Sequence, residues 1–200
     1  MKQLKKQGEL FQEPDFLYKS KHSSKDFFLN KKTLQDWQQA VHNYQSKLFQ
    51  GVAPNQLQGN LFNSNLESTN ALLDPLRLTP LPINFWRWPE SMHRGPAIYL
   101  VMDRPKSINS NLLLYIGETV SAEKRWKGDH DCKKYIDAYV QAFQKVSLGT
   151  QLSIRFWTDV PKETRSRRQL EQELIQTWIP PFNKETRDHW NTPFTSGINS

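Results

Sequence analysis

The sequence predicts an α+β fold, a small three-stranded antiparallel sheet flanked by helices, preceded by an N-terminal extension that is partly helical and partly irregular. Three observations carry this. Two β-prone runs, 97–103 and 111–116, flank the turn-rich segment Arg104-Pro105-Lys106-Ser107-Ile108-Asn109-Ser110, the pattern of a hairpin whose loop exceeds the tightest turns. A third run alternates Leu152, Ile154 and Phe156 with Ser153, Arg155 and Trp157, as a strand with one buried face does. Helical periodicity occupies the stretches between and after these strands, and few strands with helices on their faces define the class.

Taken in order, residues 1 to about 31 are rich in Lys, Ser, Gln and Phe with little periodicity, which suits a partly ordered arm. Thr33 followed by Asp36 has the form of a helix start, and Leu34, Trp37, Val41, Tyr44 and Leu48 recur every three or four residues. These predict one amphipathic helix over 33–49, ending before Gly51 and packed on the main domain. Residues 51–80 read as a linker or covering segment. In Phe85-Trp86-Arg87-Trp88-Pro89, aromatics flank an Arg, a composition that stacks bases in some proteins. A rigid strip laid over an apolar face is the preferred reading. The extension is placed at 1–92 and the regular domain at 93–200.

Within that domain Gly117 is expected to end the second strand. Ser121 suits the N-cap of a short helix through Arg125 and Trp126, stopped by Gly128. Ile136, Tyr139, Val140 and Phe143 form the stripe of a helix from about Lys133 to Lys145. Asp159-Val160-Pro161 is expected to open the last helix, in which Leu170, Leu174 and Trp178 share a face, and Pro180-Pro181 to close it.

The chain of 200 residues carries a net charge of +7, so a polyanion is a plausible partner, although charge alone does not specify one. Cys132 is the only cysteine, which rules out an internal disulfide and a multi-thiolate zinc site. With no signal-peptide h-region and no apolar run of bilayer length, a soluble cytoplasmic protein without membrane contact is expected.

Four short signals follow one another between residues 97 and 183: Ala97-Ile98-Tyr99, Tyr115-Ile116-Gly117, Arg125, and Glu171 ahead of Pro181-Phe182-Asn183. Arg125 lies eight residues after Gly117, and Glu171 twelve before Asn183. In this order and spacing, residues 95 to about 190 resemble the GIY-YIG nuclease family, with Leu174-Ile175 fitting the pattern after the glutamate. Two departures stand out. Ala97 replaces the usual Gly, and the gap between Tyr99 and Tyr115 is longer than is typical of the family.

The resemblance implies a metal-dependent endonuclease hydrolysing phosphodiester bonds of DNA, of the kind that serves repair, recombination or mobile-element processing. It implies Glu171 as the ligand of one Mg²⁺ or Mn²⁺ and Arg125 on the phosphate. Tyr99 would orient or deprotonate the attacking water, and Tyr115 would line the same pocket. Gly117, Asn183 and His130 are implied as supporting residues, and Lys124, Lys127, Arg167 and Arg168 as DNA contacts. The chemistry asks for these types: a carboxylate holds Mg²⁺ while phosphate and water fill the other positions, and a guanidinium grips phosphate oxygens as a planar fork. A tyrosine base needs positive charge nearby, because a free phenol has a pKa of about 10.

Each residue also has a plainer reading. Glu171 follows Arg167 by four and Arg168 by three, so it can be an ion-paired helix residue. The tyrosines can be core aromatics on strands, and Arg125 a helix-end residue. Glu173, two residues on, faces elsewhere on the helix. The chain can also be a nucleic-acid-binding module on the same fold without turnover. Gln7-Gly8-Glu9-Leu10-Phe11 recurs as Gln58-Gly59-Asn60-Leu61-Phe62, and Gln-x-x-Leu-Phe segments resemble peptides that bind the bacterial replicative sliding clamp. That clamp is a second expected partner and makes a protein-interaction factor a third reading, unless these are two pieces of Gln-rich loop.

Overall fold

The computed structural model describes residues 29–52, 73–88, 92–127 and 131–194. Helix α1 (Lys31–Phe49) precedes strands β1 (Ala97–Asp103) and β2 (Leu112–Thr119), the short helix α2 (Ala122–Arg125) and helix α3 (Asp131–Lys145). Strand β3 (Leu152–Trp157) and helix α4 (Thr164–Trp178) follow. Three single 3₁₀ turns, Pro75–Arg77, Phe85–Arg87 and Arg187–Trp190, complete the elements. The sheet is antiparallel with β1 central, in the order β2-β1-β3. The α+β class and the three strands are as the sequence predicts. Among the described residues no helix is long and apolar enough to cross a membrane.

β1 is buried along its whole length because each face of the sheet carries its own core. On one face Tyr99 and Val101 meet Trp37 and Val41 of α1 and Tyr139 and Phe143 of α3. On the other, Ile98, Leu100 and Met102 meet Leu174, Ile175 and Trp178 of α4. Leu48 of α1 belongs to this second core, so α1 shares both cores with the sheet.

β2 carries one extra residue. Val101 pairs with Tyr115 and Met102 with Leu113, which leaves Leu114 as a bulge. Leu114 and Tyr115 therefore both turn toward the first core, while Leu113 and Ile116 join the second. The bulge is what aims Tyr115 onto the face occupied by Tyr99.

Both outer edges of the sheet are closed. Leu81 forms an isolated antiparallel bridge to Ile154 on the outside of β3. The edge of β2 is met mostly by side chains. The Gln45 amide accepts from the Leu113 N–H at 2.8 Å and donates to its carbonyl at 2.9 Å. The Asn183 amide does the same for Ile116, at 3.0 and 2.8 Å, and the Phe182 N–H donates to the Leu114 carbonyl at 3.0 Å. An amide side chain presents one donor and one acceptor, so it stands in for a residue of a missing strand.

Several boundaries differ from those the sequence predicts. α1 begins at Lys31 because the Asn30 carboxamide, not Thr33, caps it, accepting from the Thr33 N–H at 2.8 Å. Gly117 does not end β2; pairing with β1 continues to Thr119 opposite Ala97. α4 starts at Thr164 rather than around Pro161, since Glu163 is still extended. β3 is covered on both faces, because Arg155 (8% exposed) donates to the Pro75 and Leu78 carbonyls at 2.7 and 3.3 Å. Residues 85–88 lie as a strip over β3, with Phe85 edge-on to Phe156 at 5.3 Å. The two Gln-x-x-Leu-Phe segments, the Gly128 stop and His130 lie outside the described residues.

Asn183→Ala leaves a buried N–H and a buried carbonyl of Ile116 unpaired. It is expected to lower unfolding free energy by about 2–4 kcal/mol in urea titration, with Asn183→Asp intermediate because it keeps the acceptor.

Candidate active site

The candidate residues meet where β1 begins and β2 ends. Tyr99 stands opposite Gly117 in the β1–β2 register. A Cβ at position 117 would overlap the Tyr99 phenol, so the glycine is the space into which that ring leans. From there Tyr99 stacks on Tyr115 with ring centroids 5.8 Å apart and meets Trp126 edge-on at 5.8 Å.

α2 delivers Arg125. Its Nε–H donates to the Tyr99 hydroxyl oxygen at 3.1 Å, and its guanidinium carbon lies 5.5 Å from that ring's centroid. The Tyr99 and Tyr115 hydroxyls interact in turn. Contacts thus run from Arg125 through Tyr99 to Tyr115. Tyr99 is wholly buried, whereas Tyr115 and Arg125 are partly open.

Glu171 reaches this point from the opposite layer. It sits on α4, whose apolar face packs the second core, and its carboxylate rounds the free edge of β2. There Oε1 accepts from the Glu118 N–H at 2.9 Å. This is its sole hydrogen bond among the described residues. Glu171 makes no pair with Arg167 or Arg168, because Glu118 takes both, at 2.9 and 3.3 Å. The ion-paired reading of Glu171 is therefore replaced by a carboxylate that faces Tyr115 and Arg125.

Charge follows from this placement. Burial first, then the charges of Glu118 and Glu185, raise the Glu171 pKa to about 7, against a pull downward from the Glu118 amide and Arg125. Tyr115 is pushed up to about 12, mainly by burial. Tyr99 is raised well above a free phenol, by burial and then by Tyr115 and Cys132, and Arg125 only partly offsets this. Both tyrosines are neutral at ordinary pH. The Tyr99 pKa is thus raised rather than lowered as a base at this position requires, since desolvation of the phenolate outweighs the nearby guanidinium; orienting water is the part of the expectation that this leaves.

Arg167 is also corrected as a DNA contact. It is 0% exposed, and its guanidinium is spent on Glu118, the Pro161 and Lys162 carbonyls and Thr164. Arg168, Lys124 and Lys127 are exposed. Asn183 supports the site from the β2 edge as already described. Sequence reasoning missed Glu118, whose amide aims Glu171 and whose carboxylate anchors two arginines. Its partners lie about fifty residues away on another element, so no local pattern marks it.

Among the described residues no three His, Cys, Asp or Glu side chains gather as a ligand set. A cation at this site would therefore rest on Glu171, with the rest of its shell from water and substrate. The residues fit that. Oε2 of Glu171 has no hydrogen bond among the described residues, and two further carboxylates lie near it, a placement that a bound cation or a proton relieves. Comparison with family models, curated proteins and solved structures finds no match for the chain. The functional reading rests on this geometry and on the motifs.

Since the Glu171 pKa in the fold exceeds the usual 4.5, its ionisation destabilises the protein progressively as pH rises from 4.5 through about 7. In chelator at pH 8, Glu171→Gln is expected to be more stable than wild type by about 1–2 kcal/mol, after allowing for solvent screening of this half-open group. The gap should close below about pH 4.5, where both side chains are neutral. Thermal melts at both pH values, with and without Mg²⁺, check this; Mg²⁺ should stabilise only the wild type.

Proposed function

We propose that the chain is an endonuclease of the GIY-YIG type that hydrolyses DNA phosphodiester bonds with one Mg²⁺ or Mn²⁺ held by Glu171. The observation that carries this reading is that Tyr99, Tyr115, Arg125 and Glu171, from four elements, come to the same end of the β1–β2 pair. Glu171 brings an oriented carboxylate that binds a hard cation. Arg125, partly open and permanently charged, grips the phosphate and opposes the negative charge that grows on its oxygens. Tyr115, neutral and half-open, orients water or a phosphate oxygen through its hydroxyl. Tyr99 holds Arg125 and Tyr115 in position from behind and exchanges no proton with solvent. The cation, when bound, neutralises phosphate charge and lowers the pKa of water.

Linear, branched and single-stranded DNAs incubated with Mg²⁺ or Mn²⁺ test the reading. Glu171→Ala should reduce nicking by about 10³-fold or more while DNA affinity is kept. Nicking retained in that variant sinks the assignment of Glu171. Salt-sensitive binding with no cleavage of any substrate would instead make the chain a DNA-binding module on this fold.

A further inference from the structure

α2 is a single turn of four residues, too short to hold a direction of its own, so the pose of Arg125 must come from tertiary contacts. Two sets supply it. The guanidinium end is fixed where its Nε–H donates to the Tyr99 hydroxyl at 3.1 Å. The backbone end is fixed by Glu123, to which the hydrolytic chemistry gives no part. One carboxylate oxygen of Glu123 accepts from the Gly95 N–H at 3.0 Å, and the other accepts from the Ser121 hydroxyl at 2.7 Å. Gly95 answers with its carbonyl, which receives the Ala122 N–H at 2.8 Å. The turn that leads into α2 is pinned as well. The Ser121 N–H donates to the Thr119 hydroxyl oxygen at 3.0 Å, and that hydroxyl donates to the Ser121 carbonyl at 3.2 Å.

Gly95 stands just before β1, which begins at Ala97 and carries Tyr99. The stretch 95–99 therefore holds both ends of Arg125. Glu118, beside Thr119, holds Glu171 through its N–H at 2.9 Å. Guanidinium and carboxylate thus hang from neighbouring points of one strand pair, and Glu123 closes the frame on the arginine side. A carboxylate that only capped its own turn would need no partner beyond that turn. This one reaches a segment 28 residues away. Its own N–H, the Ser121 hydroxyl and the Gly95 N–H hold its carboxyl below the ordinary range, so it stays an anion near neutral pH.

We propose that Glu123 is a positioning residue for Arg125: by tying α2 to Gly95, it sets the guanidinium at a fixed distance from the Glu171 carboxylate. The tether stands on these contacts alone; its bearing on hydrolysis rests on the nuclease reading.

The test follows the Arg125 Nε–H in ¹H–¹⁵N spectra of the full chain without DNA, its peak assigned by its loss in Arg125→Lys. In Glu123→Ala its exchange with solvent is expected to quicken about tenfold or more, because the turn that carries it opens more often. Glu123→Gln should stay within about twofold of the wild type, since its amide still accepts from Gly95 and donates to Ser121. With Mg²⁺ and DNA, Glu123→Ala should lower kcat about 10- to 100-fold and leave KM within about twofold, as misplacement of a group used in the transition state does. Glu123→Gln should restore kcat to within about threefold. A near-UV circular dichroism spectrum like that of the wild type excludes misfolding as the cause.

Wild-type exchange in Glu123→Ala overturns the proposal, and so does wild-type kcat in that variant where the wild type cleaves. Equal loss in Glu123→Gln overturns it by making the charge, not the tether, the cause. A raised KM at unchanged kcat overturns it as the mark of a DNA contact. Faster exchange in Glu123→Ala with no cleavage by the wild type leaves the tether standing and removes the nuclease reading. Cleavage by the wild type with unaltered exchange in Glu123→Ala does the reverse.

Discussion

The structure depends on how the outer edge of β2 is closed. An edge strand exposes N–H and C=O groups that must be hydrogen-bonded or hydrated. Here Gln45 from α1, Phe182 and Asn183 from the segment after α4, and Glu171 from α4 itself meet that edge in succession. These bonds set the height and rotation of both helices relative to the sheet. They also deliver the candidate ligand, because the bond that orients Glu171 is one of the edge bonds. Fold closure and site assembly are the same set of contacts.

This arrangement explains the ion pair beneath the site. Arg167 carries its charge to full burial, which is tolerable only because a carboxylate, two carbonyls and a hydroxyl receive its donors. Glu118 is thereby held at the end of β2, with its N–H free to bond Glu171. The cost falls on Glu171, whose carboxylate sits near a second carboxylate in a partly dry place. A carboxylate beside a guanidinium suits a cation on one side and a phosphate on the other. That asymmetry is what the proposed hydrolysis of a phosphodiester requires.

The tyrosine pair illustrates how burial overrides proximity. Arg125 touches Tyr99, yet both phenols titrate higher than a free one, since removing a phenolate from water costs more than one adjacent charge returns. Their contribution is geometric. Tyr99 fills the notch above Gly117 and fixes the phenol of Tyr115 and the fork of Arg125 relative to each other.

Much of this was legible in sequence, and the boundary of what was legible has physical causes. Apolar periodicity is a local property, so the three strands, α1, α3 and α4 could be read from 33–49, 97–116, 133–145, 152–157 and the stretch between Asp159 and Pro180, although the start of α4 could not. The order and spacing of Tyr99, Tyr115, Arg125 and Glu171 could be read as well. Gly117 was misread as a strand end because a glycine weakens strands in general, whereas here its missing Cβ makes room for a ring from the next strand. Arg167 was expected as a DNA contact, and nothing in the local pattern marked Gln45; both are buried because partners remote in sequence receive them. The bulge at Leu114, the role of the Glu118 amide and the neutrality of both tyrosines are decided only by tertiary contacts. Sequence determined which groups the chain could bring to a site, since residue type and spacing are written in it. Tertiary structure decided their direction, partners and charge state, since these depend on groups fifty or more residues away.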